Sequence, residues 1–149
     1  MELESIIARL TNMPVAERRQ LEKEIDAATA ALKWTPNPGQ QTAAYFSQAD
    51  VLLYGGAAGG GKTHLELGWA VNEAESGIIF RRERTQTDGL EKEGKRIVGG
   101  EASFNGQDLE WTWPGGKTLK LGGMKDPDSW NDHAGRERDY MGFDEGGEF

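Results

Sequence analysis

Seven consecutive positions, Gly55-Gly56-Ala57-Ala58-Gly59-Gly60-Gly61, carry nothing larger than a methyl group. Such a run is costly inside a helix or a strand, because glycine loses more backbone freedom on ordering than any other residue. It therefore belongs where the chain must bend tightly or let another group approach its backbone. The flanks narrow the choice. Val51-Leu52-Leu53-Tyr54, bounded by Asp50 and Gly55, reads as a short buried strand. Leu65, Leu67, Trp69, Ala70, Val71 and Ala74 give residues 62–75 the periodicity of a helix.

Gly56-Ala57-Ala58-Gly59-Gly60-Gly61-Lys62-Thr63 fits G-x-x-x-x-G-K-[ST] between that strand and that helix. Successive backbone N–H groups in such a loop turn inward around a polyphosphate, which requires small residues with access to positive φ. The helix opening near Lys62 adds the positive end of its dipole. Lys62 would reach the β- and γ-phosphates, and the Thr63 hydroxyl would ligate Mg²⁺. His64 completes the candidate nucleotide-binding stretch. The competing reading is a glycine-rich hinge that ends in Lys-Thr.

Further along, Gly77 is expected to end the helix and Ile78-Ile79-Phe80 to form a second buried strand, giving one βαβ unit and a parallel sheet. A helix is predicted over 86–98. Leu109, Trp111 and Trp113 alternate with polar residues, as do Leu119 and Leu121 after Pro114-Gly115-Gly116, which predicts a hairpin with one apolar face. Residues 122–135 read as loop. Tyr140-Met141-Gly142-Phe143 is a last apolar strand ending on Asp144-Glu145. Chemistry on a nucleotide needs a carboxylate at a strand tip for Mg²⁺ and a second to activate water. Asp144 and Glu145 supply the pair, with solvated acids at a strand end as the alternative.

Upstream, Leu3, Ile6, Ile7 and Leu10 predict a short amphipathic helix over 2–10, and Pro14 opens a second running to about Leu32. This arm packs as a helical hairpin or docks a partner subunit. Trp34-Thr35-Pro36-Asn37-Pro38-Gly39 is a linker. The division expected is an arm over 1–33 and a nucleotide-binding domain over 34–149.

Composition sets outer limits. A formal charge of −8 leaves any nucleic-acid contact to a local basic patch, for which Arg81, Arg82, Arg84, Lys92, Lys95 and Arg96 are the candidates, diluted by Glu83, Asp88, Glu91 and Glu93. The chain has no cysteine, so disulfides and thiolate metal sites are excluded. No apolar run approaches the ~20 residues of a membrane span, and Met1-Glu2-Leu3-Glu4 is too acidic to open a signal peptide. The tryptophans at 34, 69, 111, 113 and 130 read as packing residues.

Several segments together resemble the N-terminal ATPase part of the large terminase subunit of tailed bacteriophages, the motor that packages DNA into proheads. They are Pro38-Gly39-Gln40-Gln41, LLYGGAAGGGKTH, IIFRR at 78–82, FNGQDLEWTWPGGKTLKLGGM at 104–124 and HAGRERDYMGFDEGGEF at 133–149. The likeness runs from about Trp34 to Phe149. It implies an α/β fold of the P-loop NTPase type (RecA/ASCE-like): a parallel sheet flanked by helices, with an inserted β-hairpin and an N-terminal helical arm. It implies ATP and Mg²⁺ as cofactors, with Gln41 in the place of an adenine-contacting glutamine. It also implies an arginine acting on the transferred phosphoryl group. Arg136 is the nearest candidate, and an ordinary ion-pair role for Arg136 or Arg138 is the alternative. Partners implied are double-stranded DNA, a portal protein, a small terminase subunit and further copies in a ring, in the cytoplasm of an infected bacterial host. The relatives continue with a strand that senses the γ-phosphate and a nuclease domain. This chain stops four residues after Glu145, so the sheet is expected to be incomplete and the isolated chain to turn nucleotide over slowly. Two rival readings stand beside this one: a DNA-handling ATPase of helicase or recombinase type, and a nucleotide-binding relic without catalysis.

Overall fold

The computed structural model describes residues 13–17, 19–20, 23, 27, 30–56 and 59–146. The helix predicted over 2–10 lies outside the described residues. Of the second arm helix, the described residues at 15–17, 19, 20, 23 and 27 are helical. The chain divides into two compact units, Met1–Leu32 and Lys33–Phe149.

In the second unit, α1 (Gln40–Tyr45), α2 (Lys62–Glu73) and α3 (Asp88–Val98) accompany five strands: β1 (Ser76–Arg81), β2 (Ser103–Asn105), β3 (Glu110–Thr112), β4 (Thr118–Gly123) and β5 (Tyr140–Phe143). The strands form one open α/β sheet in the order β2-β3-β4-β1-β5. It is mixed. β1 runs parallel to both β4 and β5, whereas β2, β3 and β4 are joined antiparallel.

The hairpin forms where the alternation placed it. Trp111 pairs with Leu119 across β3 and β4. The turn closes with Gly115 and Gly116 at φ of 108° and 97°, a region where only glycine sits without strain. Yet this hairpin is more than an insert, because β4 is the direct neighbour of β1 and so a central strand. Trp111, Leu119 and Leu121 join Ile79, Leu67, Ala70, Val71, Leu90 and Val98 in one buried cluster that fastens α2 and α3 to the sheet. Burial of this apolar surface is the main force holding the unit together.

Three local expectations shift. α2 stops at Glu73, and Gly77 lies inside β1 rather than ending the helix. The helix predicted from 86 begins at Asp88, preceded by a 3-10 turn over Arg84–Thr87. Residues 122–135 are not all loop, since Gly122 and Gly123 complete β4 and Pro127–Asp132 form a 3-10 helix.

One expectation fails. Val51–Tyr54 is not a strand of the sheet, and its residues Val51 and Leu53 are 88% and 93% exposed. An apolar run becomes a strand only by exchanging backbone hydrogen bonds with a neighbour. Here β5 is the edge of the sheet and bonds only to β1 among the described strands. The βαβ unit predicted over 51–80 therefore lacks its first strand, and the parallel part of the sheet is built by β4, β1 and β5 instead. Among the described residues no helix is long and apolar enough to cross a membrane.

Candidate functional site

Strand register creates the site. Phe80 of β1 pairs with Phe143 of β5, and the Asp144 N–H donates to the Phe80 carbonyl at 3.0 Å, carrying the ladder one step further. Arg81, the last residue of β1, and Asp144, the residue after β5, therefore emerge side by side at the carboxyl edge of the sheet, where open α/β sheets place their ligands.

The glycine run ends at the same edge. Gly56, Gly59 and Gly61 all adopt positive φ, at 146°, 81° and 72°. Ala57 and Ala58 lie outside the described residues. Gly55, Gly56, Gly59 and Gly60 are exposed, so the described loop backbone faces solvent rather than packed protein. Gly61 caps α2 in the left-handed region, and the Leu65 N–H donates to its carbonyl at 2.9 Å as the first helical bond. Lys62 arcs back over the loop, its Nζ donating to the Gly56 carbonyl at 2.9 Å. This first turn of α2 brings the Thr63 hydroxyl to 3.2 Å and 3.1 Å from Oδ1 and Oδ2 of Asp144.

Asp144 is a buried carboxylate, 4% exposed. Arg81 compensates it, donating from Nε at 3.0 Å and from NH2 at 2.7 Å to Oδ2. The same NH2 lies 3.7 Å from Oε1 of Glu145. Glu145 itself is half exposed and sits at φ 60°, an uncommon conformation for a residue with a side chain and one concentrated at functional sites.

A further carboxyl stands behind these groups. Glu66 lies one turn along α2 from Thr63, and a Cβ built on Gly142 of β5 would fall 2.1 Å from Glu66 Oε1. Only glycine at 142 leaves that carboxyl its room. Burial, reinforced by the negative charge of Asp144 and opposed by Arg81, pushes the Glu66 carboxyl up to about 8. At neutral pH Glu66 is therefore mostly protonated.

The other predicted site residues fall as follows. Gln41 is buried beside Gly61. Its Nε2 donates to the Gly61 carbonyl at 2.9 Å, and its Oε1 accepts from the Asn37 N–H at 2.6 Å. Both ends of the amide are engaged within the protein, so Gln41 braces the loop end against Asn37. His64 turns toward α3, with Nε2 3.2 Å from Glu93 Oε2. Arg136 lines a cavity of about 150 Å³ with Ile78, Phe80, His133, Arg138 and Met141. Arg138 donates to Ser76 and to the Gly77 carbonyl, an intramolecular role. Of the basic-patch candidates, Arg84 bonds the Gln107 carbonyl, Lys95 pairs with Glu91, and Arg96 pairs with Glu93.

Sequence reasoning passed over two members of the cluster. Arg81, by sequence a candidate phosphate contact of DNA, follows the apolar run Ile78-Ile79-Phe80 as Asp144 follows Tyr140–Phe143. Glu66 carried a signal of its own, an acid between Leu65 and Leu67 on an otherwise apolar stretch of helix.

Among the described residues no three His, Cys, Asp or Glu side chains gather as a self-sufficient metal site. The chemistry of Thr63 and Asp144 does fit Mg²⁺, a hard ion usually bound by one or two carboxylates plus substrate phosphates and water. Compared with protein-family models, with curated proteins and with solved structures, the chain matches none.

Proposed function

We propose that this chain is the ATP-binding and ATP-hydrolysing segment of a viral DNA-packaging motor of the large terminase type. One observation supports it above the rest: the Thr63 hydroxyl at the start of α2 meets the Asp144 carboxylate at the end of β5. A glycine-rich hinge has no reason to bring a Lys-Thr helix start to a buried aspartate at a sheet's carboxyl edge. A nucleotide site does.

In this reading the loop N–H groups and Lys62 hold the phosphates of ATP, with Lys62 exchanging the Gly56 carbonyl for a phosphate oxygen. Thr63 and Asp144 would hold Mg²⁺, which would supply positive charge to offset that developing on the phosphates. Glu145 orients the attacking water and accepts its proton. Its exposed carboxylate and turned-out backbone suit a group that must face solvent. The P-loop NTPase assignment, the terminase-type partners (double-stranded DNA, portal, small subunit and a ring of copies) and the phosphoryl-contacting role of Arg136 belong to the same proposal. They rest on the sequence resemblance.

A second reading, nucleotide binding without turnover, is favoured by the unpaired Val51–Tyr54 segment, which leaves the loop without a strand beneath it. ATP turnover by wild type, Lys62→Ala and Glu145→Gln separates the two. The motor reading expects both substitutions to abolish turnover, with Glu145→Gln alone retaining ATP. Equal rates in all three chains would leave only the binding reading. Stimulation by portal and small subunit, rather than by single-stranded DNA, distinguishes packaging from helicase or recombinase work.

A further inference from the structure

Arg81 does more than neutralise a charge. Its guanidinium is held at both ends: Nε and NH2 grip Oδ2 of Asp144, while NH1 donates to the Gln86 carbonyl at 2.9 Å. Gln86 belongs to the 3-10 turn just beyond β1, braced by reciprocal side-chain bonds with Glu83. The arginine side chain is 16% exposed and that of Asp144 3%, so the pair is shielded from water. A buried carboxylate cannot stand uncompensated, and in this arrangement the protein supplies its own cation.

We propose that Arg81 is a resident counter-cation with which an incoming divalent ion must compete at Asp144, so that Arg81 sets the divalent-ion requirement of nucleotide binding. The inference rests on the nucleotide-site reading above. Its physical basis is exclusion. A Mg²⁺ ligand oxygen lies about 2.0–2.1 Å from the ion, and Oδ2 already has two guanidinium nitrogens at 3.0 Å and 2.7 Å. A guanidinium and a dication on one oxygen repel each other strongly where water is scarce. The exchange has a short path. Glu145 Oε1 lies 3.7 Å from NH2, and the Gln86 carbonyl anchors the far nitrogen, so the guanidinium can pivot from one carboxylate to the next without leaving the site.

The test titrates Mg²⁺ into the 149-residue chain with a fluorescent ATP analogue, reading the Mg²⁺ midpoint for binding in wild type, Arg81→Ala and Arg81→Lys. A second measurement follows thermal melting in Mg²⁺ without nucleotide. Both substitutions should lower the midpoint at least about threefold, because the ion no longer competes with a guanidinium that donates twice to Oδ2. Mg²⁺ alone should raise the melting temperature of Arg81→Ala, replacing the lost cation, and leave that of wild type unmoved. If Arg81→Ala folds only when Mg²⁺ is added, that rescue supports the proposal. An unchanged midpoint in Arg81→Lys, with wild type binding nucleotide normally, overturns this inference alone. Wild type that binds no analogue at any Mg²⁺ concentration overturns the nucleotide site itself, and this inference with it.

Discussion

The Thr63 hydroxyl donates into the carboxylate of Asp144 across 81 positions of sequence, 3.2 Å and 3.1 Å from its two oxygens. The contact joins the start of α2 to the end of β5, and the two side chains are the pair suited to share one Mg²⁺. Thr63→Ala removes the hydroxyl and keeps the helix. It is expected to weaken Mg²⁺-dependent nucleotide binding at least tenfold, or about 1.4 kcal/mol, while Thr63→Ser stays near wild type. Calorimetric titration of ATP with and without Mg²⁺ checks this. Equal affinities for wild type and Thr63→Ala in Mg²⁺ would remove Thr63 from the metal shell.

Gln41 supplies a sharper discrimination. Its amide ties Gly61 to Asn37, so it braces the loop end where the resemblance expects an adenine contact. Gln41→Ala removes both bonds of this brace, each worth about 0.5–1.5 kcal/mol in stability. A brace serves any nucleotide alike, and the expected outcome is a parallel loss of ATP and GTP affinity along with a lower melting temperature. A selective loss of ATP, with GTP unaffected, would instead assign Gln41 to the base.

Much of this was legible in the sequence, and the reasons are local. The glycine run, the helix after it, the hairpin around Pro114-Gly115-Gly116 and the strand before Asp144 each follow from periodicity or turn chemistry within a few residues. What escaped was decided by pairing at a distance. Val51–Tyr54 has the composition of a buried strand, but composition does not supply a neighbour, and the described sheet gives it none. Phe104 lies in β2, a three-residue strand too short for alternation to show, and it is placed by its pairing with Trp111. Arg81 was visible as a basic residue. Its partnership with Asp144 depends on β1 and β5 running parallel in register, which no single segment encodes.

Glu145 sits at φ 60°, where a side chain costs about 1–2 kcal/mol relative to an ordinary conformation. Glycine escapes that cost, although it gives up entropy on folding. Glu145→Gly should therefore be no less stable than wild type, and up to about 1 kcal/mol more stable, while ATP turnover disappears. Chemical denaturation and a turnover assay on the same preparation read both effects. Clear destabilisation of Glu145→Gly would mean the glutamate is held there for packing rather than for chemistry.

Glu66 makes stability depend on pH in a direction opposite to that of most carboxylates. Its folded value is pushed up to about 8 from an ordinary 4.5, chiefly by burial and next by the charge of Asp144. Between those limits the folded chain keeps a proton that the unfolded chain has released, so each rise in pH favours unfolding. The contribution of protonated Glu66 is complete below about pH 4.5, declines through neutrality and is gone above about pH 8, a span worth on the order of 5 kcal/mol. Glu66→Gln, which keeps the shape and cannot ionise, should flatten this decline. Unfolding free energies of both chains from pH 5 to pH 9 give the comparison, with the gap between them widening in favour of Glu66→Gln as pH rises. Parallel curves would mean that Glu66 titrates in the folded chain as it does in water, and that its carboxyl reaches solvent despite its seat against Gly142.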